Sequence, residues 1–462
     1  MSDIHDQAMQ YIYQQVLERL LKHMSQAQRA SMQLLIQRLL VAAGGVEYIG
    51  QLQLLVVHGQ DRRSAHLLAC LRAAQLTIAL RAPATFRLRV VVAALPAISQ
   101  KTLINHERSF GKLFLQDDTR VELLMVEGQT VVPFRVRPTL SSEPWAQSRQ
   151  ALLLFGHLTA GQPEAMFGSR LHLQLANAFC LVLDKSQGTS ALITLIPERQ
   201  RLLYLAWGRR CLRLAGESGL HNTYLNLATL AEALGWLQGL ADAPLDAPDS
   251  PAATANPDSP LRVIAVDDLL QEKVDDSQLE QMLGLNLEPS ASQAPLSAYF
   301  DHDALLHLRQ LRGRQQRKEP GKEGRLGLAL RERNHSAKAY DPAHGRFLHL
   351  AGLTEQQLVC LIHAPFADHG LGLERFVECC HPGMRVALPY LHRALQGKPC
   401  PEPVQQWLMD VSGLSLAQLK AIYARRMGQP ARRLVANLAR RDLALRLHSS
   451  QASARAVPQA AN

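Results

Sequence analysis

At 462 residues, 47% of them hydrophobic, the chain has room for two or three domains and enough apolar side chain to bury a core, which excludes wholesale disorder. Its formal charge of +10 leaves 50 Lys and Arg against 40 Asp and Glu, and no apolar run approaches the ~20 residues that a helical membrane span needs. Seven cysteines, odd in number and unevenly spread, argue against a disulfide framework, and the opening SDIHDQ lacks the basic and apolar regions of a secretory signal, so a reducing cytoplasm is expected.

Residues 7–43 read as two helices. Met9, Ile12, Val16 and Leu20 recur at helical spacing, and Met32, Leu35, Ile36 and Leu39 resume the pattern before Gly44 and Gly45 close it. Such a hairpin either self-associates, or meets a protein partner, or packs on the neighbouring domain. From 46 to about 135, LQLLVVHG, RRSAHLLACLRAA, FRLRVVVAAL and RVELLMVEG alternate short apolar runs with longer helical ones. That rhythm predicts an α/β domain built on a parallel or mixed sheet. The turn His58-Gly59-Gln60-Asp61-Arg62-Arg63 stands at a strand's carboxyl end, where open α/β sheets bind ligands. It lacks the glycines of a phosphate cradle, and neither GxGxxG nor GxxxxGK[ST] occurs. Further on, ALLLFGHL, RLHLQL, FCLVLD and ALITLI read as strands, closed by the helical LATLAEALGWLQGL.

Charge falls in blocks. Residues 1–240 carry a net +8, residues 241–300 hold 11 acidic and 2 basic side chains, and residues 301–462 hold 24 basic and 13 acidic. DAPLDAPDSPAATANPDSP, from 242 to 260, has little to bury and reads as a linker. It is followed by an acidic helix within VDDLLQEKVDDSQLEQMLGL, which either docks on a basic surface or presents a solvated face. The expected organisation is a helical hairpin (1–45), an α/β domain (46–240), an acidic linker region with one helix (241–300), a basic, mainly α domain (301–450) and a disordered tail (451–462).

Ten of the 18 histidines and four of the seven cysteines follow residue 300. Cys360, His363, Cys379 and His381 offer the sulfur and imidazole that tetrahedral zinc takes, although adjacent Cys380 and His381 rarely point at one ion. Buried thiols in an apolar run such as LVCLIH are equally at home in a core. Asp303 and His307, one helical turn apart, suit either a metal or a helix cap. No GxSxG or HExxH motif occurs, so a metal-dependent enzyme using the Cys and His group is the weaker chemical reading.

Near the C-terminus, Val404, Trp407 and Leu408 give one helix an apolar face, Gly413 supplies a turn, and Ser415 caps a second helix in which Leu419, Ile422 and Tyr423 face inward. This second helix is of a kind that enters a major groove. With Gly428 and the Arg-rich 431–447, the stretch 386–447 resembles one helix-turn-helix unit of the AraC/XylS-type transcription regulators. That family normally carries two such units. The resemblance implies DNA binding, with Lys420, Arg425, Arg426, Arg432 and Arg433 meeting phosphates or base edges. The reading as a whole is a bacterial cytoplasmic regulatory protein that requires no cofactor. The alternative is a non-enzymatic adaptor of a secretion or surface-organelle system, whose basic domain meets an acidic protein.

Overall fold

The computed structural model describes residues 2–94, 100–128, 130–137, 143–159, 170–185, 191–215, 227–242, 245, 262–270, 274–285, 308, 310–312, 345, 348 and 351–440. Asp303, His307 and the expected tail 451–462 lie outside the described residues.

The chain begins with α1 (Ser2–His23) and α2 (Gln26–Ala43). Ser25 breaks them apart because its hydroxyl accepts from Gln28 N while the Gln28 side chain accepts from Ser25 N, a complete capping box. Gly44, at φ 89°, ends α2 in the left-handed region. Leu17, Leu20, Met32, Leu35 and Leu39 are buried, and the hairpin rests on the long helix that follows β1.

The strands β1 (Gln53–Val57), β2 (Arg87–Ala94) and β3 (Val121–Glu127) alternate with α3 (Arg62–Ala79) and α4 (Gln100–Lys112). A hairpin then adds β4 (Thr130–Pro133), and after α5 (Glu143–Leu158) and α6 (Arg170–Lys185) the chain returns as β5 (Ala191–Thr194). The remaining elements of this half are α7 (Glu198–Ala215), α8 (Leu227–Asp242), β6 (Arg262–Ala265) and α9 (Asp276–Leu283). The sheet order is β4-β3-β2-β1-β5-β6, parallel except for β4. The expected α/β fold with a mixed sheet is therefore present.

Period-two alternation divides the strands between two cores. Leu54, Val56, Leu88, Val90 and Val92 join α1–α4 and α9 on one face. Leu55, Val91 and Ala93 turn the other way, into a cluster with α5, α6 and the C-terminal helices. Those helices are α10 (Glu355–His363), α11 (Leu373–Cys380), α12 (Leu388–Leu395), α13 (Glu402–Ser412), α14 (Leu416–Tyr423) and α15 (Gln429–Arg440). A third cluster, with Phe155, Cys211, Leu237, Leu434 and Leu438, seats α15 on α7 and α8.

Two expectations need correction. ALLLFGHL, RLHLQL and FCLVLD lie in the helices α5 and α6, and only ALITLI supplies a strand. In α5 four consecutive residues, Leu152 to Phe155, are buried, because the helix is enclosed by the C-terminal helices on one side and the Phe155 cluster on another. A helix packed all round loses its amphipathic period and leaves only a short apolar run to read. The acidic region, for its part, is more than a linker with a helix: Arg262–Ala265 completes the sheet as its edge strand. Its carboxylates meet arginines of α2, α3 and α7. Asp268 accepts two hydrogen bonds from Arg38, each 2.7 Å, Asp276 pairs with Arg62 at 2.5 Å, and Asp267 lies 3.6 Å from Arg201. Arg38 also donates to Ala265 O at 2.6 Å, which covers part of the β6 edge. Among the described residues, no helix is long and apolar enough to cross a membrane.

Candidate functional site

The strand order reverses between β1 and β5, so the turn after β1 stands at the topological switch point, where ligands bind in open α/β sheets. Here the protein's own groups fill it. His58 N donates to Val91 O at 2.8 Å, Gly59 N to Ser64 Oγ at 2.7 Å, and Ser64 N to Asp61 Oδ1 at 2.8 Å. Ser64 N, one of the first-turn donors of α3 that could hold an anion, is thus taken by Asp61. His58 is only 3% exposed, its Nδ1 lies 3.3 Å from Ser64 Oγ, and its ring packs 4.6 Å from that of His106. Burial pushes His58 down to about 4 and His106 well below its ordinary value, so both rings are neutral near pH 7. Neutral rings packed on Phe110 make this a core, not an open cleft.

The sulfur and imidazole groups divide in an unexpected way. His363 Nε2 approaches Cys380 Sγ at 3.6 Å, whereas His381 packs its ring against Phe376 and Trp407, each at 5.2 Å. Cys360 is fully buried in α10, and Cys379 is half-buried. Burial raises the Cys360 thiol well above its usual value and pushes Cys380 up to about 12, while burial and then Arg375 push His363 down to about 4. In these apolar surroundings both thiols are held in the protonated form. Among the described residues, no group of three or more His, Cys, Asp or Glu side chains converges as a metal would require.

The C-terminal helix pair is built as the sequence predicts. Gly413, at φ 70°, closes α13, and Ser415 with Gln418 forms a complete capping box that starts α14. Leu419, Ile422 and Tyr423 are buried. The far end of α14 closes through Arg426 N to Ala421 O at 2.9 Å and Arg425 N to Ile422 O at 3.1 Å, with Arg425 itself left-handed at φ 54°. Around this end the cations gather. Lys420 packs within 3.9 Å of the position a Cβ would take at Gly397, beside Lys398, and Arg432 Nη2 donates to the Arg425 carbonyl at 3.2 Å. Arg426, Arg432 and Arg433 are exposed, whereas Arg425 is ion-paired with Asp368. The start of α14 is less free, since Gln418 accepts from Gln150 of α5 at 3.1 Å.

No family model, curated protein or solved structure matches this chain.

One constellation left no sequence signal. Arg72, fully buried in α3, donates to Asp118 at 2.7 Å, to Gln75 at 2.7 Å, and to the carbonyls of Leu113 and Phe114 at 3.0 and 2.9 Å. Arg120 grips the same carboxylate, with bonds of 2.8 and 2.7 Å. Both guanidinium groups lie over the Tyr13 ring, at 5.2 and 4.8 Å. Its members are 46 residues apart in the case of Arg72 and Asp118, far beyond any local motif.

Proposed function

We propose that the chain is a non-enzymatic regulatory protein that contacts DNA phosphates through the rim of its C-terminal helix pair. The observation that carries this reading is the joint occurrence of a capped helix-turn-helix, α13 to α14, with Lys398, Lys420, Arg426, Arg432 and Arg433 beside it, none of them ion-paired among the described residues. Because Gln418 faces Gln150, the helix start is not presented to bases as it is in a groove-reading unit. Phosphate contact from the rim fits that placement better than base-edge contact. Arg425, held by Asp368, contributes less than its neighbours.

The test is binding of the full chain to random duplex DNA over a salt series. Each phosphate contact releases counterions, so affinity should fall steeply as salt rises. A variant carrying Lys420→Gln, Arg426→Gln, Arg432→Gln and Arg433→Gln should bind more weakly and with a shallower slope. DNA binding that this variant leaves intact, or none at low salt, overturns the proposal.

A second reading, an adaptor for a protein partner, is favoured by apolar side chains left in solvent. Leu34 and Val41 share a face of α2, and Leu371 and Val386 project from the connections α10–α11 and α11–α12 at 85% and 87% exposure. Capture of one defined protein, with DNA ignored, would support it.

A further inference from the structure

Between α1 and the end of α4 lies an open cavity of about 710 Å³, within the size range of small-molecule sites. Arg19, Arg108 and Lys112 line it together with Tyr11, Val16 and Phe114, and no carboxylate of the described residues does. None of the three cations has an acidic partner among the described residues. Arg19 is half-buried, and its Nη2 donates to the Lys112 carbonyl while its Nε has no acceptor among the described residues. A desolvated guanidinium without an anion is an uncompensated arrangement that a bound acidic group would relieve.

The apolar wall is held rigidly. Phe114 sits at φ 53°, a conformation uncommon for a residue other than glycine. Arg72, anchored on Asp118, fixes it by binding both the Leu113 and Phe114 carbonyls. Strain of this kind persists only where the surroundings enforce it, and it concentrates at binding sites. Gly111, between Arg108 and Lys112, leaves open space where a Cβ would stand, so the cavity reaches the helix backbone there.

We propose that this cavity binds a small organic anion, its carboxylate or phosphate held by Arg19, Arg108 and Lys112 and its apolar or aromatic body lying against Tyr11, Val16 and Phe114. The site lies between α1 and α4, on elements other than the C-terminal pair, and the inference does not rest on DNA binding.

Calorimetric titration of the full chain at low salt with phenylpropionate, phenyl phosphate, uncharged phenylpropanol and inorganic phosphate tests it. At least one aromatic anion should bind, at least tenfold more tightly than both phenylpropanol and inorganic phosphate. Gly111→Trp, which plugs the cavity and leaves every cation in place, should abolish binding, and Arg108→Gln with Lys112→Gln should weaken it at least tenfold. Circular dichroism melting shows whether each variant is folded. No heat with either aromatic anion, equal affinity for phenylpropanol or inorganic phosphate, or undiminished binding in folded Gly111→Trp would overturn the proposal.

Discussion

Arg72 illustrates how much one buried side chain decides. It and Asp118 are both fully buried, and the carboxylate accepts from Arg72 and Arg120 at once. Burial alone would push the Asp118 carboxyl up, but the hydrogen bonds and charges of Arg120 and Arg72 outweigh it and bring the group down to about 2. Asp118→Asn removes the charge and leaves Arg72 uncompensated, so a loss of roughly 3–5 kcal/mol is expected, read from urea unfolding at pH 7. The sign of the pH dependence follows. A carboxylate whose pKa is lower in the folded state stabilises the fold above its unfolded value and loses that contribution as pH falls through about 4 towards 2. The difference between the natural chain and the variant should therefore narrow in acid. A loss below 1 kcal/mol at pH 7 would mean that the network is a surface-like pair.

Among elements, helix ends were the most legible features. Gly44, Gly413 and Ser415 each stand where capping chemistry predicts a boundary, because the first and last turns of a helix must find partners locally. Ser415→Ala should cost about 1 kcal/mol, the usual worth of such a cap. Gly413→Ala should cost more, roughly 2 kcal/mol or above, since the left-handed backbone resists a side chain. There is also no room: a Cβ there would stand 2.6 Å from Gln357 Nε2 and 2.8 Å from Leu153 Cδ1. Equal losses for the two variants, measured by chemical denaturation, would show that α5 and α10 yield easily around the turn. The strand-like sequence of α5 has the complementary cause, that enclosure on several sides erases the periodicity which marks a helix in sequence.

At the scale of the molecule, the C-terminal helices and one face of the sheet share a hydrophobic cluster. Leu361, Leu408 and Leu419 belong with Leu55, Val91 and Leu153. An isolated 301–462 fragment lacks the α5 and sheet side of that core, so it should show no cooperative unfolding transition while the full chain does. A sharp urea transition in the fragment would refute this. Buried histidines are spread through the same structure. Burial pushes His58, His66, His157 and His363 each down to about 4. Their folded values lie below the ordinary 6.5, so the unfolded chain takes up protons that the folded chain refuses. Stability should be complete above about pH 6.5 and should fall as pH drops from there towards 4. Thermal melting across that window measures it, and a flat Tm would show that these rings do not titrate on unfolding.

The sequence by itself determined what local physics controls: the three α/β strand runs after residue 46, the hairpin of helices before them, the caps at Ser415 and Gly413, and the uneven charge. Period, capping and charge density are properties of neighbours along the chain, and they survive without knowledge of the fold. Tertiary structure alone decided the rest. It turned apolar runs near 151–185 into helices, made Arg262–Ala265 an edge strand, paired Asp268 with Arg38, brought His363 to Cys380, and joined Arg72 to Asp118. Each of those outcomes depends on which distant surfaces meet, and a buried charge or an all-round packed helix is stable only after they have met.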